Sequence, residues 1–191
     1  KKARGETPSK VVYFRNLPTN ATDAELNSLT CPFGPLVNIL KLPHKNQAFV
    51  EFDSLVSAQS FVEMYRSACV LRGQPIRVAF SDRASISFSR ELNEAPPNRI
   101  IFVVITLLIH QVDCDALYHV FSRVGKVKKV VLQLKNGQMQ GFVEMEDIGQ
   151  AADAKAQFNG KHIYAGSCKM AIQFAKMASL DCKDPACSRD Y

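Results

Sequence analysis

An octamer that occurs twice constrains the fold of this chain more than any other feature of its sequence. Residues Lys45–Phe52 read KNQAFVEF, and residues Gln138–Met145 read QMQGFVEM, a weaker copy. In each copy a phenylalanine alternates with small and branched residues. Because successive side chains of a strand point to opposite faces, Phe49 and Phe142 are each predicted on one face of a strand, with the small and branched residues on the other.

The two octamers belong to a longer internal repeat. Three landmarks recur about ninety residues further on, namely Gly34 at Gly125, Phe49 at Phe142 and Phe80 at Phe174. A pattern met twice in one order is better supported than either copy alone. The 191 residues also provide enough length for two domains of about ninety residues.

Each unit is predicted to have the element order βαββαβ, which makes the chain an α+β protein. In the first unit, Thr22 and Glu25 form a capping box that predicts the start of a helix. The second helix follows from the apolar spacing of Ala58, Phe61, Val62 and Tyr65. The predicted strands are a run that starts at Val11 and is closed by Asn16-Leu17-Pro18, then residues 37–42, 47–52 and 76–80.

The second unit repeats this order. Its strands are predicted at residues 100–105, 127–134, 140–145 and 169–174, with a tight turn at Asn136-Gly137. Its helices are marked by Leu117, Val120 and Phe121, and by Ala151, Ala154 and Phe158. The predicted domains are residues 9–82 and 99–184. Residues 83–98 are predicted as a linker, which either is free or docks its apolar residues Ile86, Phe88 and Leu92 on the first unit.

Composition limits the function without deciding it. The net charge of +6 and the pI near 9.0 permit nucleic acid as a ligand but do not require it. The six cysteines form no CxxC pair, so reduced thiols of an intracellular protein are expected, although the even number leaves a disulfide framework conceivable. No cofactor, metal site or catalytic set is indicated. The longest apolar run, residues 100–109, is too short to span a membrane.

Strand alternation predicts which side chains of the first unit lie on the open face of its sheet. Tyr13 and Phe49 are expected on adjacent strands as a two-ring platform on which nucleobases stack. The expected residues around it, which supply apolar surface, charge and contacts to base edges, are Arg15, Leu40, Leu42, Lys45, Gln47, Arg77 and Ser81.

The second unit leaves two registers open for its first strand. Either Phe102 lies on the open face and pairs with Phe142, or Ile101 and Val103 lie there and Phe102 belongs to the core. The other residues expected on this face are Val131, Gln133, Lys135, Gln140, Phe142 and Gln173.

Both octamers resemble the central-strand signature of the RNA-recognition motif, a ferredoxin-like domain. The blocks VVYFRNLP from Val11, KNQAFVE from Lys45 and LRGQPI from Leu71 are similar to the first module of the polypyrimidine-tract-binding protein family. Residues 159–164, 172–176, 178–183 and 188–191 resemble the second module of that family and the corresponding module of heterogeneous nuclear ribonucleoprotein L.

This resemblance implies single-stranded, pyrimidine-rich RNA of the CU type as the ligand, with CA-rich RNA as the alternative. It implies roles in pre-mRNA splicing, mRNA stability or translation, together with protein partners of an mRNA-processing complex, in the nucleus and the cytoplasm. It favours the register in which Ile101 and Val103 lie outward. It also implies a fifth strand in the second module and an RNA surface that extends over Lys176, Leu180 and Lys183.

Two other classes of function compete with RNA binding. A protein-interaction module would bind a peptide on a sheet or a helical face, and the second unit is compatible with it. An enzyme on the same fold, such as an acyl-phosphate hydrolase, would need a phosphate-binding loop, and no glycine-rich loop follows the first strand of either unit. The expected protein therefore has no enzymatic activity, no membrane segment and no small-molecule substrate.

Overall fold

The computed structural model describes residues 7–86, 95–135, 138–181 and 188–191. Its internal contacts divide the chain into two units, Lys1–Ser87 and Phe88–Tyr191. None of the described helices is long and apolar enough to cross a membrane.

The first unit contains five strands and two helices within its described residues. The strands are β1 (Val11–Arg15), β2 (Leu36–Leu42), β3 (Gln47–Phe52), β4 (Cys69–Leu71) and β5 (Gln74–Phe80). The helices are α1 (Asp23–Thr30) and α2 (Leu55–Tyr65). The strands form one antiparallel sheet in the order β2-β3-β1-β5-β4, which confirms the predicted βαββαβ arrangement.

The second unit has the same arrangement with one additional strand. Its strands are β6 (Ile100–Thr106), β7 (Val127–Lys135), β8 (Gln138–Met145), β9 (His162–Tyr164), β10 (Ser167–Phe174) and β11 (Ser188–Asp190). Its helices are α3 (Cys114–Phe121) and α4 (Ile148–Phe158). The sheet order is β11-β7-β8-β6-β10-β9, so the expected fifth main strand is β11, and it lies beside β7.

The helices begin where a short polar side chain precedes an apolar run. Thr22 caps α1, and its capping box with Glu25 is complete, as predicted. Ser54, Asp113 and Asp147 each accept a hydrogen bond from the backbone N–H three residues later, and they start α2, α3 and α4.

In each unit the two helices pack on one face of the sheet and leave the opposite face free of helices. Phe14, Val50 and Phe52 in the first sheet pack against Leu26, Phe61 and Val62 of the helices, and all six are buried. In the second unit the corresponding core contains Ile101, Val103, Val143, Leu117 and Phe121. The alternation of β1, β3 and β8 therefore decides which side chains remain on the opposite face.

Two short hairpins were not predicted from the sequence. Strand β4 pairs with β5 over three residue pairs, and β9 pairs with β10 over two. Arg72 and Gly73 both have positive φ in the turn from β4 to β5, which is the geometry of a tight hairpin turn. These hairpins extend each sheet beyond its last main strand. The predicted turn at Asn136-Gly137 lies outside the described residues.

Candidate nucleic-acid interface

The first sheet presents two stacked rings on its open face. Tyr13 of β1 lies opposite Phe49 of β3 in the antiparallel register. The ring centroids are 4.6 Å apart with an interplanar angle of 16°. Both side chains are half-buried, while Phe14 and Val50 on the alternate positions are fully buried. The structure thus brings together the two rings that the sequence placed on one face.

Cationic and amide side chains surround these rings. Arg15 is exposed, lies opposite both Gln47 and Arg77, and places its guanidinium 4.8 Å from the centroid of the Tyr13 ring. Lys45 is exposed in the turn that precedes β3. Together with the two rings these residues line an open concavity of about 740 Å³. The concavity is therefore apolar at its base and positively charged at its rim.

The two leucines of β2 extend this base sideways. Leu40 lies opposite Phe49 and Leu42 lies opposite Gln47, so both share the face of the rings, and both are half-buried. Ile39, between them in the sequence, is buried in the core. Their placement agrees with the alternation that the sequence predicted.

Ser81 does not lie open on this face as the sequence predicted. It is buried, and its Oγ accepts a hydrogen bond from the backbone N–H of Arg83 at 3.1 Å. Its own N–H donates to the carbonyl oxygen of Val11. The predicted exposure of Ser81 is therefore wrong, because its hydroxyl stabilises a turn, although the residue still lines the concavity.

Residues Ser81–Ile86, here called the first crossing segment, leave β5 and pass over the open face. Ile86 is buried, its N–H donates to Glu51 Oε2 at 3.0 Å, and its carbonyl oxygen accepts from Asn38 Nδ2 at 3.2 Å. Of the two possibilities for the linker, Ile86 is docked on the first unit, whereas Phe88 and Leu92 lie outside the described residues. One end of the sheet is thereby covered, while the end that carries Tyr13 and Arg15 stays open.

Two cations of this site were missed by the sequence analysis. Arg83 places its guanidinium 4.9 Å from the centroid of the Phe49 ring, and Arg66 lines the same concavity from the end of α2. Arg83 falls inside the segment that was predicted as a linker. A usable signal was the apolar Ile86 three residues later, because a docked residue there fixes the path of Arg83 over the sheet.

The second sheet also presents two rings on its open face. Phe102 is one of them, although the family resemblance favoured the register that places Phe102 in the core. Phe102 lies opposite Phe142, with ring centroids 4.9 Å apart and an interplanar angle of 36°. Ile101 and Val103 are fully buried in the helical core. The prediction that Ile101 and Val103 face the ligand is therefore wrong, because these two side chains fill the space beneath α3 and α4.

The remaining residues of the second face lie where alternation placed them. Val131 lies opposite Phe142, Gln133 opposite Gln140, and Gln173 opposite Phe102. Gln133 and Lys135 are exposed, whereas Val131, Gln140 and Gln173 are half-buried. At the positions that correspond to Arg15 and Arg77 this sheet carries Val104 and Ala171, so its face is less positively charged.

Leu180 lies on the second face but does not offer an open contact surface. It is buried with Ile100 and Ala175, and Phe102, Val131 and Phe142 pack against this cluster. Its carbonyl oxygen accepts a hydrogen bond from Lys129 Nζ at 3.2 Å. Lys176 is exposed just past β10, and Lys183 lies outside the described residues. Leu180 therefore fills part of the surface that it was expected to extend.

The described residues contain no group of three or more His, Cys, Asp or Glu side chains arranged to hold a metal ion. The four cysteines among them, Cys31, Cys69, Cys114 and Cys168, are free thiols. Burial raises the pKa of the Cys69 and Cys114 thiols, which keeps them protonated at neutral pH.

Two sequence-family models of the RNA recognition motif match the chain, one over residues 12–77 and the other over residues 92–190. The chain therefore belongs to the RNA recognition motif family and contains two such modules. The matches fall on the two sheets whose open faces carry the ring pairs.

Comparison with curated proteins confirms the resemblance to polypyrimidine tract-binding proteins. Polypyrimidine tract-binding protein homolog 1 of Arabidopsis thaliana is 32% identical over 199 residues, which cover 97% of this chain and 50% of that protein. Homolog 3 of the same plant is 31% identical over 188 residues, which cover 96% and 44%. The chain spans about half the length of these relatives.

Among solved structures, the chain is similar to the Rna15 RNA recognition motif with bound RNA (GU). That likeness has 26% identity, a TM-score of 0.37 and coverage of 42% of this chain and 90% of the other. A Sxl-lethal protein/RNA complex aligns over 87% of this chain and 99% of the other, with 19% identity and a TM-score of 0.35. At these scores neither likeness carries weight for the fold or the ligand.

Proposed function

We propose that this protein binds single-stranded, pyrimidine-rich RNA of the CU type through the open faces of its two sheets. The observation that carries the proposal is the Tyr13–Phe49 ring pair at the base of a positively charged concavity. Unpaired bases stack on such rings, and each stacked base contributes about 1–3 kcal/mol to binding. The names of the curated relatives support polypyrimidine RNA as the ligand class.

The cellular role follows from this ligand class. We propose that the protein acts in pre-mRNA splicing or in mRNA stability and translation, in the nucleus and the cytoplasm, and without enzymatic activity. Protein partners of an mRNA-processing complex belong to the same proposal. The division into modules at residues 9–82 and 99–184, with the second extended at its C-terminal side, is part of it too.

Titration of the full chain with a labelled CU-repeat oligonucleotide tests the proposal. Tyr13→Ala and Phe49→Ala are each expected to weaken binding about tenfold, because each removes a stacking surface. Val56→Ala is the matched control, since Val56 is an apolar residue that is 70% exposed on α2, which packs on the opposite face of the sheet. Its affinity should equal that of the unmodified protein.

Two results would contradict different parts of the proposal. Unchanged affinity in both ring variants would exclude the open face of the first sheet as the binding surface. Equal competition by CA-repeat and oligoadenylate RNA would leave RNA binding intact and exclude the preference for CU sequences. Selection of bound RNAs from a random pool would then identify the preferred sequence.

A further inference from the structure

The segments that follow β5 and β10 have the same construction. Ile86 lies six residues after Phe80, and Leu180 lies six residues after Phe174. Both apolar side chains are buried over the sheet face, and both carbonyl oxygens accept a hydrogen bond from a side chain of the second strand, Asn38 or Lys129. We call residues Ala175–Leu180 the second crossing segment.

The register of the sheets confirms that these positions correspond. Val11 lies opposite Glu51, and Ile100 lies opposite Glu144. On the second strand of each sheet, Asn38 lies opposite Glu51 and Lys129 lies opposite Glu144. Each of them directly follows an irregularity in the strand register. The two crossing segments are therefore equivalent, and Arg83 in the first corresponds to Met177 in the second.

The backbone of Arg83 is held in place on both sides. Its N–H donates to Ser81 Oγ at 3.1 Å, and its carbonyl oxygen accepts from Ser9 Oγ at 2.7 Å. Beyond it, the buried Ile86 holds the segment to Glu51. The side chain of Arg83 is nevertheless exposed, and its guanidinium lies 4.9 Å from the centroid of the Phe49 ring.

We propose that Arg83 forms the upper wall of the base-binding position on Phe49, so that one RNA base is enclosed between the phenyl ring and the guanidinium. This inference rests on the proposed function, because it assigns a second wall to the same site. A planar guanidinium stacks on a nucleobase as readily as it stacks on a protein ring.

The required movement is small. Stacked groups lie about 3.5 Å apart, so a base between the ring and the guanidinium needs a separation of about 7 Å. The guanidinium therefore has to rise by about 2 Å. Rotation about the side-chain bonds of Arg83 provides this, and the hydrogen bonds of its backbone and the burial of Ile86 stay intact.

The alternative is that Arg83 only competes with RNA for the Phe49 ring. An exposed cation–π contact is worth about 0.5–1 kcal/mol, and a stacked base about 1–3 kcal/mol. The base therefore displaces the guanidinium from the ring. Because the fixed backbone keeps the guanidinium above the site, it then contacts the outer surface of the base instead of leaving.

Substitution of Arg83 in the full chain tests the enclosure, with a labelled CU-repeat oligonucleotide as the probe. Arg83→Met introduces the side chain that the second crossing segment already carries at this position. Arg83→Lys keeps the charge but removes the planar group. Both variants are expected to bind about five- to tenfold more weakly, the range of a partly desolvated cation–π contact.

Other results overturn the proposal. Unchanged affinity in Arg83→Met excludes a contact with RNA, and tighter binding in Arg83→Met identifies Arg83 as a competitor for the ring. Full affinity in Arg83→Lys identifies a contact with phosphate, which needs only charge. Arg77→Met, on the same face, is the matched control for loss of one arginine, and its effect should be recovered in Arg77→Lys.

A double substitution separates this inference from the proposed function. In the Phe49→Ala background the lower wall is missing, so Arg83→Met should have little further effect. If the two substitutions are additive, Arg83 acts independently of the ring and the enclosure is wrong. If Phe49→Ala and Tyr13→Ala each leave the affinity unchanged, the proposed function fails for the first sheet.

Discussion

At the scale of single residues, Glu25 connects the start of α1 to the β4–β5 turn. Its Oε2 accepts hydrogen bonds from the N–H of Thr22 and from Arg72 Nη2, both at 2.8 Å. Hydrogen bonding to Arg72 is the main cause that lowers the pKa of Glu25 from 4.5 to about 2. A lowered folded-state pKa means that the stabilisation is complete above about pH 4.5 and is lost as the pH falls towards 2.

Glu25→Gln should therefore lower the free energy of unfolding by about 1 kcal/mol at pH 7, the size of a helix cap together with an exposed ion pair. The difference from the unmodified protein should shrink steadily below pH 4.5, as measured by urea unfolding at several pH values. Glu63→Gln, at an exposed position of α2, is the matched control. A difference of the same size at pH 7 and pH 3 would show that the charge of Glu25 contributes nothing.

At the scale of elements, β11 depends on the residue that follows it. The Tyr191 ring stacks on Tyr118 of α3 with centroids 4.0 Å apart, and its hydroxyl donates to Asp115 Oδ1 at 2.7 Å. Burial and this hydrogen bond raise the pKa of Tyr191 well above 10. Tyr191→Ala should release β11 and reduce the hydrogen-exchange protection of the β7 amides that pair with it.

The expected loss of stability is about 1–2 kcal/mol for Tyr191→Ala and about half of that for Tyr191→Phe, which keeps the stacked ring and loses only the hydroxyl. Tyr164→Ala is the control, because Tyr164 is equally exposed but lies on β9 at the opposite edge of the sheet. If protection along β7 is unchanged in Tyr191→Ala, β11 is held by its backbone pairing alone.

The strands also show where the sequence stops being informative. β1 and β3 alternate between core and open face, and their orientation was predicted correctly from that period. β6 is apolar at six of its seven positions because Leu180 covers Ile100 on one face while the helices cover Ile101 and Val103 on the other. A strand that is buried on both faces has no alternation of apolar and polar residues, so its sequence does not show which side chains face which side. The register of Phe102 was therefore open, and the family resemblance pointed to the wrong choice.

The residues of the candidate site that lie on strands could be predicted from the sequence, whereas those on the segment after β5 could not. Tyr13, Phe49 and the residues around them followed from alternation, because each lies on a strand. Arg83 and Ile86 lie on a segment without regular structure, whose path is set by burial of one isoleucine and by the hydrogen bonds of Glu51 and Asn38. The sequence shows Ile86 as a residue able to dock, but the long-range hydrogen bonds that fix where it docks leave no local pattern, so the contact of Arg83 with the Phe49 ring did not follow from it.

At the scale of the whole molecule, the net positive charge is modest, at +6. Five cations line the concavity or its rim, namely Arg15, Lys45, Arg66, Arg77 and Arg83. Each contact with a phosphate of a single strand contributes about −0.7 to the slope of log affinity against log salt concentration. Because Arg83 is assigned to a base, the other four contacts would give about −2.8, so a slope between about −2 and −4 is expected for a short oligonucleotide bound to one module.

Titrations of the full chain between low and high KCl concentration measure this slope. Phe49→Ala should weaken binding and leave the slope unchanged, because a stacked ring releases no counterions, whereas removal of a cation that contacts phosphate should lower its magnitude by about 0.7. A longer pyrimidine strand that occupies both modules should give a steeper slope, although by less than twofold because the second face carries Val104 and Ala171 where the first carries Arg15 and Arg77. A slope near −8 for the short oligonucleotide would mean that charge alone holds the RNA, and that the rings at the base of the concavity do not bind it.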